Sequence, residues 1–257
     1  MLHVHQFGDP AAPPLVALHG VQGHGGRFAP LATALGRRVH APDLAGHGLS
    51  PWDPPWTMER YVDDVLTVLA DLPPVDLAGH SFGGALAVWT ARRDPSRVRS
   101  LLLIDPAMGI SPEAAGRGAD DAVTQPSFAT LEEASAWLAA MWPAVPDGVR
   151  AAEIDQHLAR GDDRRYRFRF RPAAAATVYS ELSRESVTPP PSVPTLVLRA
   201  PRERVVRRHF LKLCAADGCD VTLVDIDCGH LMLEERPDEV LAEMRTFLSR
   251  VGAAPAE

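Results

Sequence analysis

The sequence predicts an α/β fold: a mostly parallel central sheet with helices on both faces and a helical cap inserted between two of its strands. Two observations carry this expectation. Through the first hundred residues, short apolar runs alternate with helical patterns, as a parallel sheet with crossover helices requires. Between residues 107 and 190 the rhythm gives way to a stretch rich in Ala, Pro and charge, and it resumes after residue 191.

Taken in order, "PPLVALHG" (13–20) reads as a strand entering a Gly-rich loop, and "RRVHAPDLAGHG" (37–48) as a second strand with its loop. "TMERYVDDVLTVLADL" (57–72) has apolar residues at helical spacing behind a Thr cap at Thr57. "PVDLAGHS" (74–81) is a strand, "GGALAVWTARR" (83–93) a helix and "RSLLLIDPA" (99–107) a strand. The inserted stretch holds helix-like pieces such as "TLEEASAWLAAMW" (130–142) and ends in the stiff connector "TPPPSVP" (188–194). "TLVLRA" (195–200) then reads as a strand and "RRHFLKLCAADG" (207–218) as a helix stopped by Gly. "DVTLVDID" (220–227) and "RPDEVLAEMRTFLSRV" (236–251) give a last strand and a closing helix. The expected division is a core of 1–106 and 191–251, a cap of 107–190 and a disordered tail of 252–257.

With 257 residues, 46% of them hydrophobic, the chain can bury a sizeable core. Its formal net charge of −7 gives no electrostatic reason to expect nucleic acid or an anionic membrane, which are bound by clustered Lys and Arg. "MLHVHQFGDP" has no basic start before an apolar run, and no apolar stretch approaches the length of a membrane span. Cys214, Cys219 and Cys228 are odd in number and lack zinc-ligand spacing, so they read as reduced thiols. These features predict a cytoplasmic protein with small-molecule partners, no nucleic acid and no stable membrane insertion.

The strongest chemical signal is "GHSFGG" (79–84), a G-x-S-x-G between a strand and a helix. In that setting a sharp turn needs small flanking residues so that a strained serine can project at the top of the sheet, which makes Ser81 the candidate nucleophile. A hydroxyl needs a base within reach, and His230 in "DCGHLMLEERP" follows the last strand at the same sheet edge. The Phe82 N–H, at the start of the helix after Ser81, is one candidate oxyanion donor. Val21 N–H, in the loop "HGVQGHGG" (19–26), is the other. That loop lacks the Lys-Ser/Thr ending of a phosphate-binding loop.

In "RRYRFRFRP" (164–172), a period of two would put Tyr166, Phe168 and Phe170 on one face and Arg165, Arg167, Arg169 and Arg171 on the other. The guanidinium groups could form an anion site at a pocket mouth. A solvated edge, with the aromatic face packed on the cap, is the favoured reading, because Asp162 and Asp163 lie beside it.

Taken together, "LHGVQGHGG", "APDLAGHGLS", "LAGHSFGGALA", "LLLIDPA", "PTLVLRAPRERVV" and "CGHLMLEERPDEV" resemble the α/β-hydrolase family over nearly the whole chain, most of all its small bacterial carboxylesterases and lipases. The resemblance implies a Ser81 nucleophile, a His230 base, a cap over the pocket, and no metal or organic cofactor. In this family the orienting acid usually follows the strand after the cap, where this chain has Glu203 between Arg202 and Arg204. Some members place it where this chain has Asp105. Both remain candidates. Trp52, Trp56, Trp137, Trp142 and Met232 are candidates to line an apolar acyl pocket. The expected activity is hydrolysis of a small or medium apolar ester through an acyl-enzyme. The alternatives are C–C bond or enol-lactone hydrolysis, with the cap arginines holding a carboxylate, and a receptor-like fold without efficient turnover.

Overall fold

The computed structural model describes residues 1–253. Before the cap, the chain forms β1 (Val4–Phe7), β2 (Pro14–Leu18), α1 (Ala29–Leu35), β3 (Arg38–Pro42), α2 (Met58–Leu69), β4 (Val75–His80), α3 (Phe82–Arg93) and β5 (Val98–Ile104). Then follow α4 (Pro112–Val123), α5 (Leu131–Met141), α6 (Asp147–His157), β6 (Leu158–Arg160), β7 (Tyr166–Phe168) and α7 (Pro172–Leu182). The sheet resumes with β8 (Thr195–Arg199), α8 (Arg208–Ala216) and β9 (Val221–Asp225), and the chain closes on α9 (Met232–Glu235) and α10 (Pro237–Ala253).

Seven strands form one sheet in the order β1-β3-β2-β4-β5-β8-β9. All neighbours are parallel except β1, which runs antiparallel to β3 at the edge and was not anticipated from its short sequence. Burial on both faces explains the unbroken apolar runs that marked the strands. Val16, Leu18, Leu77, Leu101, Leu103 and Val197 pack one face with residues of α2, α3 and α8. Their alternates Leu15, Ala17, Ala78, Leu102, Ile104, Leu196 and Leu198 pack the other face with residues of α1 and α10.

The register matters for the site. Leu18 pairs with Gly79, His80 with Ile104, and Ile104 with Leu198, so β2, β4, β5 and β8 end together. Whatever follows those strands converges at one carboxyl edge, where open α/β sheets hold their ligands.

The α4–α7 segment covers that edge with its own small core, which includes Phe128, Leu138, Leu158, Phe168 and Phe170. Within the alternating Arg/aromatic stretch only Tyr166–Phe168 forms a strand, β7, which pairs antiparallel to β6. α10 reaches Ala253, so residues 252 and 253, expected in the tail, are helical, and residues 254–257 lie outside the described residues. Among the described residues no helix is long and apolar enough to cross a membrane.

The turn from β4 into α3 depends on close approach. A Cβ on Gly83 would lie 2.1 Å from Leu18 O, and one on Gly79 would lie 2.2 Å from Gly83 O. Backbone atoms on both sides cannot yield. Gly83→Ala is expected to cost about 3 kcal/mol or more in thermal unfolding, at the upper end for overpacked cores. Gly116→Ala, on exposed α4 with nothing within 4 Å of the new Cβ, should be neutral or slightly stabilising.

Candidate active site

Ser81 sits between β4 and α3 with φ 53° and ψ −116°, a backbone conformation a serine tolerates only where its surroundings enforce it. Its N–H donates to Ile104 O at 3.0 Å, and its carbonyl accepts from Gly84, Ala85 and Ala107 N–H. The side chain is thereby aimed into a cavity of about 430 Å³ that Val21, His80 and His230 also line.

His230 lies in the loop between β9 and α9. Its Nδ1 is 2.6 Å from Oδ2 of Asp105, which is fully buried. Asp105 follows β5 and also has positive φ, at 42°. Its other oxygen, Oδ1, accepts the Ala200 N–H at 3.1 Å, so the carboxylate is fixed from two sides. With Nδ1–H donated to Asp105, the Nε2 of His230 is left as the basic nitrogen. His80 braces the same loop by donating Nε2–H to His230 O at 2.8 Å. Burial first, and then the neighbouring His230, holds His80 well below the usual histidine range, so it is neutral there.

Glu203 does not join this group. The chain turns at Ala200, with Glu203 N–H bonded to Ala200 O at 3.2 Å, and carries Glu203 out to the exposed surface. Arg202 pairs with Asp227 at 2.5 Å instead of competing for a catalytic carboxylate.

The loop after β2 lies directly against Ser81: a Cβ on Gly20 would be 3.1 Å from the Ser81 Cβ. Among the described residues, neither Val21 N–H nor Phe82 N–H has a backbone or side-chain partner, so both remain free to donate. Two buried histidines hold this loop. His19 donates Nδ1–H to Gly20 O at 2.8 Å and accepts the Leu44 N–H at 2.9 Å. His47 donates Nδ1–H to Ala45 O at 3.1 Å and accepts the Gln22 N–H at 3.2 Å. Buried Asp43 ties the loop to the one after β3 by accepting the Gly25 and Leu49 N–H groups at 2.7 and 2.8 Å.

Accepting an N–H requires an unprotonated ring, and burial pulls His47 down to about 4 and His19 well below its usual value, with Asp43 partly opposing the shift in both. The unfolded chain takes up these protons near 6.5, so the stability they confer is intact above that pH and is lost as pH falls from about 6.5 to about 4. For His47 alone this is of order 3 kcal/mol. Thermal unfolding followed between pH 7 and pH 4 is expected to show a falling midpoint; a midpoint constant over that range would contradict neutral burial.

The cavity wall is largely apolar. Trp137 and Trp142 line it, together with Leu138, Met141, Phe168 and Phe170. Three expected pocket residues do not. Met232 is adjacent to the His230 loop in sequence, yet α9 turns its side chain fully into the core with Met244 and Phe247. Trp52 is 38% exposed and donates to Gly48 O at 3.3 Å. Trp56 packs against the core beneath the sheet edge.

None of the four cap arginines lines the cavity. The strand alternation gives that face to Phe168 and Phe170, while Arg165 donates to Ser127 O at 2.6 Å and Arg167 pairs with Asp163 at 2.6 Å. The charged residues that do line it, besides the histidines, are Arg27 and Glu153. They are 126 residues apart, and no local sequence pattern marks either of them.

Known proteins share this fold. Residues 15–243 match the profile of the alpha/beta hydrolase family. The lipase LipV of Mycobacterium tuberculosis is 36% identical over 254 residues, spanning 96% of this chain and 97% of that one. A pimeloyl-[acyl-carrier protein] methyl ester esterase of Chromobacterium violaceum is 41% identical over 95 residues, 36% of each chain. In fold, the crystal structure of E-2-(acetamidomethylene)succinate hydrolase superposes with a TM-score of 0.83 at 24% identity, covering 96% of this chain and 95% of that one. A marine microorganism esterase gives 0.77 at 23% identity, covering 96% and 98%. The chain belongs to the alpha/beta hydrolase family.

Proposed function

We propose that this lipase- and esterase-like hydrolase cleaves carboxylic esters with a small or medium apolar acyl group, through an acyl-enzyme on Ser81. The observation that carries the proposal is the short Asp105–His230 hydrogen bond at 2.6 Å, with His230 and Ser81 on one apolar-walled cavity. About 430 Å³ lies in the range of small-molecule sites.

Each residue then has one task. His230 Nε2 takes the Ser81 Oγ proton as Oγ bonds the acyl carbon. The amides of Val21 and Phe82, the latter at the positive end of α3, hold the oxyanion without the reorientation that water dipoles would need. The imidazolium, steadied by Asp105, gives its proton to the departing alkoxide. Water repeats the sequence on the acyl-enzyme, with His230 again as base. The cap arginines Arg165, Arg167, Arg169 and Arg171 do not line the cavity and lend no support to a route through a substrate carboxylate.

The test is a series of p-nitrophenyl esters from acetate to palmitate, assayed with purified protein. Hydrolysis of the short and medium esters is expected. Absence of activity across the whole series would contradict the proposal.

A further inference from the structure

A second cavity of about 450 Å³ lies between α1, α6, α9 and α10, with Leu31, Val149, Leu233 and Leu241 on its apolar wall and Glu234 among its polar residues. It shares two lining residues with the Ser81 cavity, Arg27 and Glu153. Two side chains that face both spaces stand between them.

They stand there as a fixed unit. Arg27, from the short turn after β2, grips Glu153 of α6 with Nε and Nη2 at 2.8 and 2.7 Å. His24 Nε2 and His157 Nδ1 reach the same carboxylate at 3.1 and 2.9 Å. The guanidinium also lies 5.1 Å from the ring of Trp142, one of the indoles of the Ser81 cavity. Glu153 is 4% exposed and Arg27 13%. Burial alone would raise the Glu153 carboxyl, but Arg27, His157 and His24 hold it well below the usual range.

We propose that the Arg27–Glu153 pair is the chain-length stop of the acyl pocket, closing the path from Ser81 into the second cavity. A growing acyl chain meets two side chains it could pass only by parting a buried ion pair. Alkyl carbon offers neither charge a partner, so the pair stays closed and the chain ends before it. The inference rests on the ester-hydrolase reading and names the limit of its substrates.

The experiment compares kcat/KM along the p-nitrophenyl ester series for the parent and two double variants. The parent is expected to decline steeply beyond a medium chain. Arg27→Ala with Glu153→Ala removes both charges together and opens the wall. It should raise the laurate-to-butyrate ratio of kcat/KM at least about tenfold, the effect of joining two apolar spaces. Arg27→Met with Glu153→Leu refills the wall with apolar bulk and should keep the parent's cut-off. Adding Val149→Trp to the alanine pair should fill the second cavity and reverse the gain.

A parent that hydrolyses palmitate as readily as butyrate overturns the stop whether or not any variant folds. So does an alanine pair whose activity falls equally at every chain length, which is what a purely structural pair would give. Absence of ester hydrolysis in the parent would instead remove the underlying reading, and the stop with it.

Discussion

Ser81→Ala is expected to lower kcat for ester hydrolysis by on the order of 10⁵–10⁶, leaving only what the oxyanion donors and binding contribute. Ser81 carries its positive φ because the Gly79 and Gly83 contacts force the turn, and that strain places one hydroxyl at the cavity. Among the described residues lining that cavity, the other hydroxyl is that of Tyr179, whose phenol burial pushes up. The variant should fold normally, since the serine makes its structural contacts through its backbone. Thermal unfolding beside the assay separates lost chemistry from lost structure. An alanine variant retaining more than a few per cent of parent activity would contradict the nucleophile assignment.

Asp105→Asn is expected to cost about 10³–10⁴ in kcat, because an amide cannot stabilise the imidazolium that forms on His230. The asparagine oxygen can still accept the Ala200 N–H, so the site should keep its shape. Glu203→Gln should stay within about twofold of the parent, since its exposed carboxylate touches nothing in the site. Equal losses in both variants, or a larger loss at Glu203, would overturn the placement of the acid. The pair is informative because sequence pattern favours neither residue strongly, whereas geometry brings only Asp105 to His230.

That contrast shows what the sequence could carry. The strands were legible because burial on both faces writes itself as apolar runs, and the turn at Ser81 because its close backbone approach demands glycines beside it. Strand β1 was not, since "VHQF" at a sheet edge has two polar residues in four and no burial on both faces. The acid was ambiguous because Asp105 and Glu203 both follow strands ending at the right edge, and the deciding contact joins residues 125 apart. Nearness to His230 along the chain says nothing of which way α9 turns the Met232 side chain. His19 and His47 stand out little among 10 histidines. Each precedes a glycine in a loop leaving a strand, a local cue to a backbone brace that only their hydrogen bonds make specific. Arg27 and Glu153 had no cue at all, their pairing being wholly tertiary.

The acyl-enzyme assignment is tested most directly by labelling the native protein with a fluorophosphonate and mapping the adduct by peptide mass spectrometry. A single adduct on Ser81, formed more slowly in Asp105→Asn and absent in Ser81→Ala, is the expected result. An unlabelled parent, or an adduct on any other residue, would contradict it.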